Sequence, residues 1–235
     1  MRKVRGPSEA EIINRPQTVW RKLKRRQGTP EAQFRRILAR AKESSSSPRT
    51  LRGIIRILGL ELQSVNMSQI LRQSDDPDIP EGFQDLFFSE SMPLTRNGKT
   101  LNDLSPQITR RRRVDMLRDI LLPWPWNYGR FQGIFGTLGR HDVEWETDYN
   151  HKIEMHLPMR LCFVQGGNHS LTAGFALGKV GELRSIVVRD LTPAMRAVYA
   201  DGKVFRRFFD DRVISRVGVV EAAAIWEVSR LMLKT

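Results

Sequence analysis

Apolar residues recur along this chain at two spacings, and the change from one to the other divides it. Phe34, Ile37, Leu38 and Ala41 follow one another at steps of three and four, the period of a helix with one buried face. Thr29 stands where an N-cap belongs, Pro30 suits the first helical position, and Glu31 complements the positive end of the dipole. Leu51, Ile54, Ile55 and Leu58 give a second helical stripe ending at Gly59, and Met67, Ile70 and Leu71 suggest a short further helix. Asp75-Asp76-Pro77-Asp78-Ile79-Pro80 breaks the pattern and reads as a surface loop. Val114, Leu117, Ile120 and Leu121 predict a third helix from Ser105 or Pro106 to Leu122. Pro123-Trp124-Pro125-Trp126 ends it, since neither proline supplies a backbone donor.

From Arg140 the period becomes two. Asp142, Glu144, Glu146 and Asp148 alternate with Val143, Trp145, Thr147 and Tyr149, which predicts a strand carrying four carboxylates on one face. Such a face suits a hard cation such as Mg²⁺; a solvated strand face and pairing with arginines are the other two readings. The run Leu161-Cys162-Phe163-Val164 then leads into Gln165-Gly166-Gly167-Asn168-His169-Ser170, and Leu171 to Gly178 follows with small and apolar residues. This reads as strand, tight turn, helix, with Leu183 to Arg189 as the next strand. Val217 to Lys234 is an amphipathic helix with Glu221 early and Arg230 and Lys234 late, expected to pack on the sheet, with dimerisation through that face as the alternative. The fold class expected is α+β (α/β), a mixed sheet flanked by helices.

Length and composition narrow this further. With 235 residues, 40% of them hydrophobic, and 17 Gly and 12 Pro without a repeat, the chain suits one sizeable core. No stretch approaches the roughly 20 apolar residues of a membrane span. The basic start Met1-Arg2-Lys3-Val4-Arg5 has no apolar stretch after it, which predicts no secretory signal. The single cysteine, Cys162, lies in an apolar run and is expected to fill core in a reducing cytoplasm.

Charge is concentrated at one end. Of a net +13, residues 1–56 carry +12, with 16 Lys or Arg against 4 Asp or Glu. Arg21, Lys22, Lys24, Arg25 and Arg26 precede the first helix, whose polar side carries Arg35 and Arg36. Ser44-Ser45-Ser46-Ser47-Pro48 looks like a joint. The organisation expected is a basic helical arm over residues 1–47, a helical and loop region over 48–104, and a domain over 105–235. Cations of this density attract a phosphate backbone through counterion release, and Arg110, Arg111, Arg112 and Arg113 form a second candidate DNA patch. The alternative for both is a solvated surface.

His151 and His156 are five apart, on opposite faces of a strand, which argues against a shared metal. In the turn, Gly166 and Gly167 permit close approach to a ligand, Ser170 is placed to cap the helix, and the helix start favours a phosphate. His169 is the candidate for proton transfer and Asn168 for orienting a ligand or water. A structural turn with a hydrogen-bonded histidine is the competing reading.

The Gly166-Gly167-Asn168-His169-Ser170 segment, followed by Ala173 and Ala176, resembles the phosphate-binding box of the ParB/sulfiredoxin superfamily. Asp190-Leu191-Thr192-Pro193 and Asp201-Gly202 add a similarity to plasmid-borne and other bacterial proteins with an Asn-His-Ser box. The resemblance spans about residues 140 to 200. It implies nucleotide binding, ATP or another nucleotide, by Gly166 to Ser170, with Arg160, Lys179, Arg184 or Arg189 in place of the family's missing arginine. Asn168 stands where sulfiredoxins carry their cysteine, so sulfinic-acid reduction is not implied. In the mechanism the resemblance suggests, Asn168 and His169 act beside Glu144 and Glu146, and Asp142, Glu144, Glu146 and Asp148 hold Mg²⁺. The expected function is a plasmid-encoded DNA-binding protein of ATPase or DNase type that inhibits conjugative or T-DNA transfer. The alternative is a non-catalytic module that binds DNA or a transfer-apparatus protein.

Overall fold

Two helices open the structure because the sequence caps each of them. Thr29 Oγ1 accepts the Ala32 amide at 3.3 Å ahead of α1 (Pro30–Glu43), and Ser47 Oγ accepts the Thr50 amide at 3.3 Å ahead of α2 (Pro48–Ser68). The computed structural model describes residues 28–72, 82–108, 113–179, 181–184 and 186–233. The expected loop at 75–80, the cations before residue 28, and Arg110, Arg111 and Arg112 lie outside the described residues. The α2 stripe does not stop at Gly59. A Cβ there would stand 2.8 Å from Ile120 Cγ1, so this glycine marks where the helix lies on a strand and not where it ends. The short helix expected near Met67 is the end of α2 plus a 3-10 turn, Gln69–Leu71.

After two single-turn helices, α3 (Phe83–Leu86) and α4 (Leu101–Leu104), the chain departs from the expected third helix. Residues 114–122 form β1 (Val114–Asp115), a turn, and β2 (Ile120–Leu122). Leu117, read as part of the buried stripe, is 66% exposed. The turn is closed by side chains, with the Leu117 amide donating to Asp115 Oδ1 at 2.9 Å and the Asp115 amide to Asp119 Oδ2 at 3.0 Å. Asp and Asn offer the backbone such local partners, and these compete with a helix. Arg113, at the edge of the expected arginine patch, pairs with Glu182 at 3.1 Å.

The main sheet has the order β2-β4-β3-β6, with β3 (Ile153–Leu157), β4 (Leu161–Val164) and β6 (Ile186–Asp190). β4 runs parallel to β2 and antiparallel to β3, and β6 runs parallel to β3, so the sheet is mixed. The segment expected as one strand after the glycine turn is divided: β5 (Glu182–Leu183) pairs with β1, and only β6 joins the main sheet. Thr192–Ala197 (α7), the meander β7 (Val198–Ala200), β8 (Val204–Arg207), β9 (Val213–Arg216), and the final helix α8 (Val220–Met232) complete the fold.

Side chains alternate across the sheet into two cores. Ile120, Leu122, Leu161 and Phe163 enter one with residues of α1, α2, α3 and α8, while Leu121, Met155, Cys162 and Val188 enter the other with Leu138 and Leu171. Both faces of the sheet are covered, and the class is α+β. Cys162 is fully buried, and burial raises its thiol pKa well above the ordinary value, as suits core filler.

The first core also revises the picture of an N-terminal arm. Phe34 is 3% exposed and Ala41 is fully buried in the cluster that α8 supplies with Ala223, Ala224 and Trp226. Gly202, at φ +93°, lies so close beneath Phe34 that a Cβ would meet its ring at 2.6 Å. Residues 30–43 are therefore part of the body of the protein. The serine joint is a tight link whose last member caps α2.

Candidate functional site

The expected strand, turn and helix are present. β4 runs into Gln165 and Gly166, Gly167 takes a left-handed conformation at φ +83°, and α6 (Asn168–Leu177) ends at Gly178, φ +67°. Gly167 is the N-cap, so Ser170 lies within the first turn and is not the cap.

The glycines serve packing. A Cβ on Gly166 would run into the Asn150 carbonyl oxygen, and one on Gly167 would meet the His151 ring at 2.5 Å. The backbone of 152 is joined to this turn, its carbonyl accepting the Gln165 amide at 2.8 Å. Close approach at this turn is by the protein's own chain.

The two residues assigned catalytic roles in the turn are engaged with the loop before α5 (Tyr128–Leu138). Asn168 Oδ1 accepts the Trp124 amide at 2.7 Å, and His169 Nε2 accepts the Asn127 amide at 3.1 Å. Trp126 lies edge-on to the His169 ring with centroids 4.5 Å apart. Asn127 in turn caps α5 through the Arg130 amide at 2.8 Å. Asn168 and His169 are both buried, and together they pin the Pro-Trp-Pro-Trp loop.

Burial first, and the Arg130 cation second, push the His169 imidazole below its ordinary value. The amide facing Nε2 also requires that nitrogen to be bare. The unfolded chain then binds a proton more readily than the folded one, so this group's contribution to stability is present above the unfolded pKa. It is lost as pH falls from there through the folded value. Urea midpoints measured at about pH 7.5 and about pH 5 should fall more steeply for the native chain than for His169→Gln; equal slopes would refute this role.

The acids of 142–148 do not form a strand. Asp142 pairs with Arg140 at 2.7 Å, Glu144 and Glu146 are exposed, and Asp148 Oδ1 accepts the Asn150 amide at 2.8 Å. Trp145 between them is drawn into the second core. That alternation reflects one anchoring ring and not a ladder of paired strands. Among the described residues there is no group of three or more His, Cys, Asp or Glu side chains placed to hold a metal ion.

The cations considered as phosphate partners are dispersed. Arg160 binds the buried Asp119, Lys179 donates to the Arg140 carbonyl at 2.7 Å, Arg189 pairs with Glu154 at 3.0 Å, and Arg184 is exposed between β5 and β6. The cation beside His169 is Arg130.

His151 enters the sequence reading only as a metal ligand. It lies before β3 on the α6 side, with its side chain 2% exposed, and His156 lies on the other face against Phe83 and Phe163, in keeping with their five-residue spacing. His151 Nε2 is 3.3 Å from Ser170 Oγ, which also accepts the Trp145 indole N–H at 3.1 Å. His151 Nδ1 accepts the Asp148 backbone amide at 2.9 Å, with Asp148 Oδ1 beside it at the same distance.

Residues 20–235 match a family of unknown function, DUF6710. The chain belongs to this family. No curated protein and no solved structure matches it. In this DUF6710 member the matched span begins just before the Arg21 to Arg26 run and continues through α8, so it takes in both cores and the glycine turn.

Proposed function

We propose that this protein binds nucleic acid, with double-stranded DNA as the ligand, through its basic N-terminal segment and the outward side of α1. One observation carries the reading. α1 buries Phe34 and Ala41 against α8, and this fixes Arg35, Arg36, Arg40 and Lys42 on its exposed side. A basic helix held rigidly in this way presents its charges without first having to order a tail. Arg49 and Arg52 are also exposed, at the start of α2, and the run Arg21 to Arg26 precedes α1 in sequence.

Phosphate contacts predict a steep salt dependence. With about six contacts, affinity should fall about a thousandfold between about 50 and about 200 mM salt. Anisotropy titrations with a labelled duplex measure the slope. Replacing Arg35 and Arg40 together by alanine should reduce it by about 2 and leave the melting temperature in place. Absent binding at the lower salt, or a slope unchanged by this pair, would overturn the reading. Competition with RNA separates a DNA ligand from an RNA one.

A further inference from the structure

We propose that residues 19–26 of this same chain seat on an apolar strip along α2, with their cations against Glu61 and Glu221. The inference stands without any nucleic-acid contact. Three observations carry it: an apolar strip that the fold leaves uncovered, two acids close together beside it, and a segment of complementary character joined to the chain nearby.

α2 buries Leu51, Ile55, Leu58 and Leu62, and the far side of such a helix is ordinarily polar. Here Ile57 is 70% exposed, Val65 46% and Leu60 43%. Ile57, Glu61 and Val65 follow one another at steps of four, so they form one row. Apolar residues scattered singly over a surface need no account, whereas a row of them beside charge has the form of a contact surface. The acids give that surface its sign. Burial first, and the charge of Glu221 second, raise the Glu61 carboxyl above its ordinary value, which places Glu221 beside it where α2 packs on α8. Among the described residues neither acid forms an ion pair. Like charges so placed repel, and a cation brought between them relieves both.

Residues 19–26, which lie outside the described residues, carry the complement in their sequence. Arg21, Lys22, Lys24, Arg25 and Arg26 are the cations, and Val19, Trp20 and Leu23 stand among them at i, i+1 and i+4, the spacing of a single apolar face. The tether is short. The segment joins the described chain at Gly28, just ahead of α1, and the charge of Lys203 reaches Glu31 in the first turn of that helix. The Lys203 carbonyl accepts the Val217 amide at 2.8 Å, just ahead of α8, whose first turn holds Glu221. The starts of α1 and α8 therefore lie at one end of the molecule. From Gly28 back to Leu23 the chain can extend up to about 17 Å. A segment tethered so closely is present at an effective concentration on the order of millimolar, so a weak contact is enough to seat it. The family match begins at Trp20 and takes in the segment as well. Five cations against two acids leave a surplus for phosphate.

The test uses the full chain without nucleic acid. A carbodiimide joins an amine to a carboxyl group in contact with it, and should link Lys22 or Lys24 to Glu61 or Glu221, as read by mass spectrometry of the peptides. Mixing isotope-labelled with unlabelled protein tells whether the link lies within one chain, where it is expected. Replacing Ile57 and Val65 together by serine alters two exposed side chains and keeps every amine and acid, so the circular dichroism spectrum should be retained while the link is lost. Trypsin should then cut after Arg21 to Arg26 at least about tenfold faster than in the native chain, since cleavage follows the unseated fraction. A native chain that gives no such link, or gives it only between two copies, would overturn the proposal. So would a double-serine variant with the native yield of link or the native rate of cleavage.

Discussion

Trp226→Ala is expected to cost about 3 to 5 kcal/mol, the range for emptying a large aromatic site in a well-packed core. The Trp226 side chain is fully buried, with ring centroids 5.3 Å from Phe88, 5.7 Å from Phe87, 6.3 Å from Phe205 and 6.4 Å from Phe83. Its indole N–H also donates to the Val198 carbonyl at 3.2 Å. The alanine variant therefore opens a cavity among four rings and leaves a buried acceptor without its donor. Against a typical total of about 5 to 15 kcal/mol, a loss of this size takes a large share of the stability. Guanidinium denaturation gives the number. Trp226→Phe should recover most of the packing but not the hydrogen bond, and so fall between the two. A loss under about 1 kcal/mol in the alanine variant would contradict this account of the first core.

The second large effect is at Gly166. An added methyl group meets the Asn150 carbonyl oxygen, which is main chain and has no rotamer by which to move aside. Gly166→Ala should thus separate the 150–152 backbone from the turn, at a cost of about 3 kcal/mol, the upper part of the range for overpacking. Thermal melts decide the matter. A variant as stable as the native chain would mean that the glycine leaves room for something other than Asn150. Gly136, where an added methyl group would find nothing within 4 Å, is the control for substitution at a glycine in open space.

These sites differ in how readily sequence betrays them. Thr29, Pro30 and Ser47 act within three residues of themselves, so caps and helix starts can be read directly. The Leu161 to Gly178 unit is legible for the same reason, as its glycines punctuate a strand and a helix that are adjacent in the chain. Residues 114–122 mislead because a short apolar run covered on both faces has no period of its own; Ile120, Leu121 and Leu122 are all buried. The roles of Asn168 and His169 depend on amides more than 40 positions away. Their partners are backbone groups, and a main-chain amide leaves no mark in an amino-acid sequence. The residue types that suggest chemistry in this turn are the same ones that fasten a loop. Phe34 shows a helical face, yet nothing local indicates that its cover comes from the other end of the chain.

That pairing of α1 with α8 bears on how the protein comes to be folded. Contacts between residues near 34 and residues near 224 close a loop of almost the whole chain, and the entropy of closing it is recovered only when both ends are in place. During synthesis α1 leaves the ribosome first and waits, with the apolar side that carries Phe34 uncovered, until α8 has been made. The glycine turn and its sheet have their partners nearer at hand. Assembly is thus expected to run from the middle outward, with the basic helix seated last.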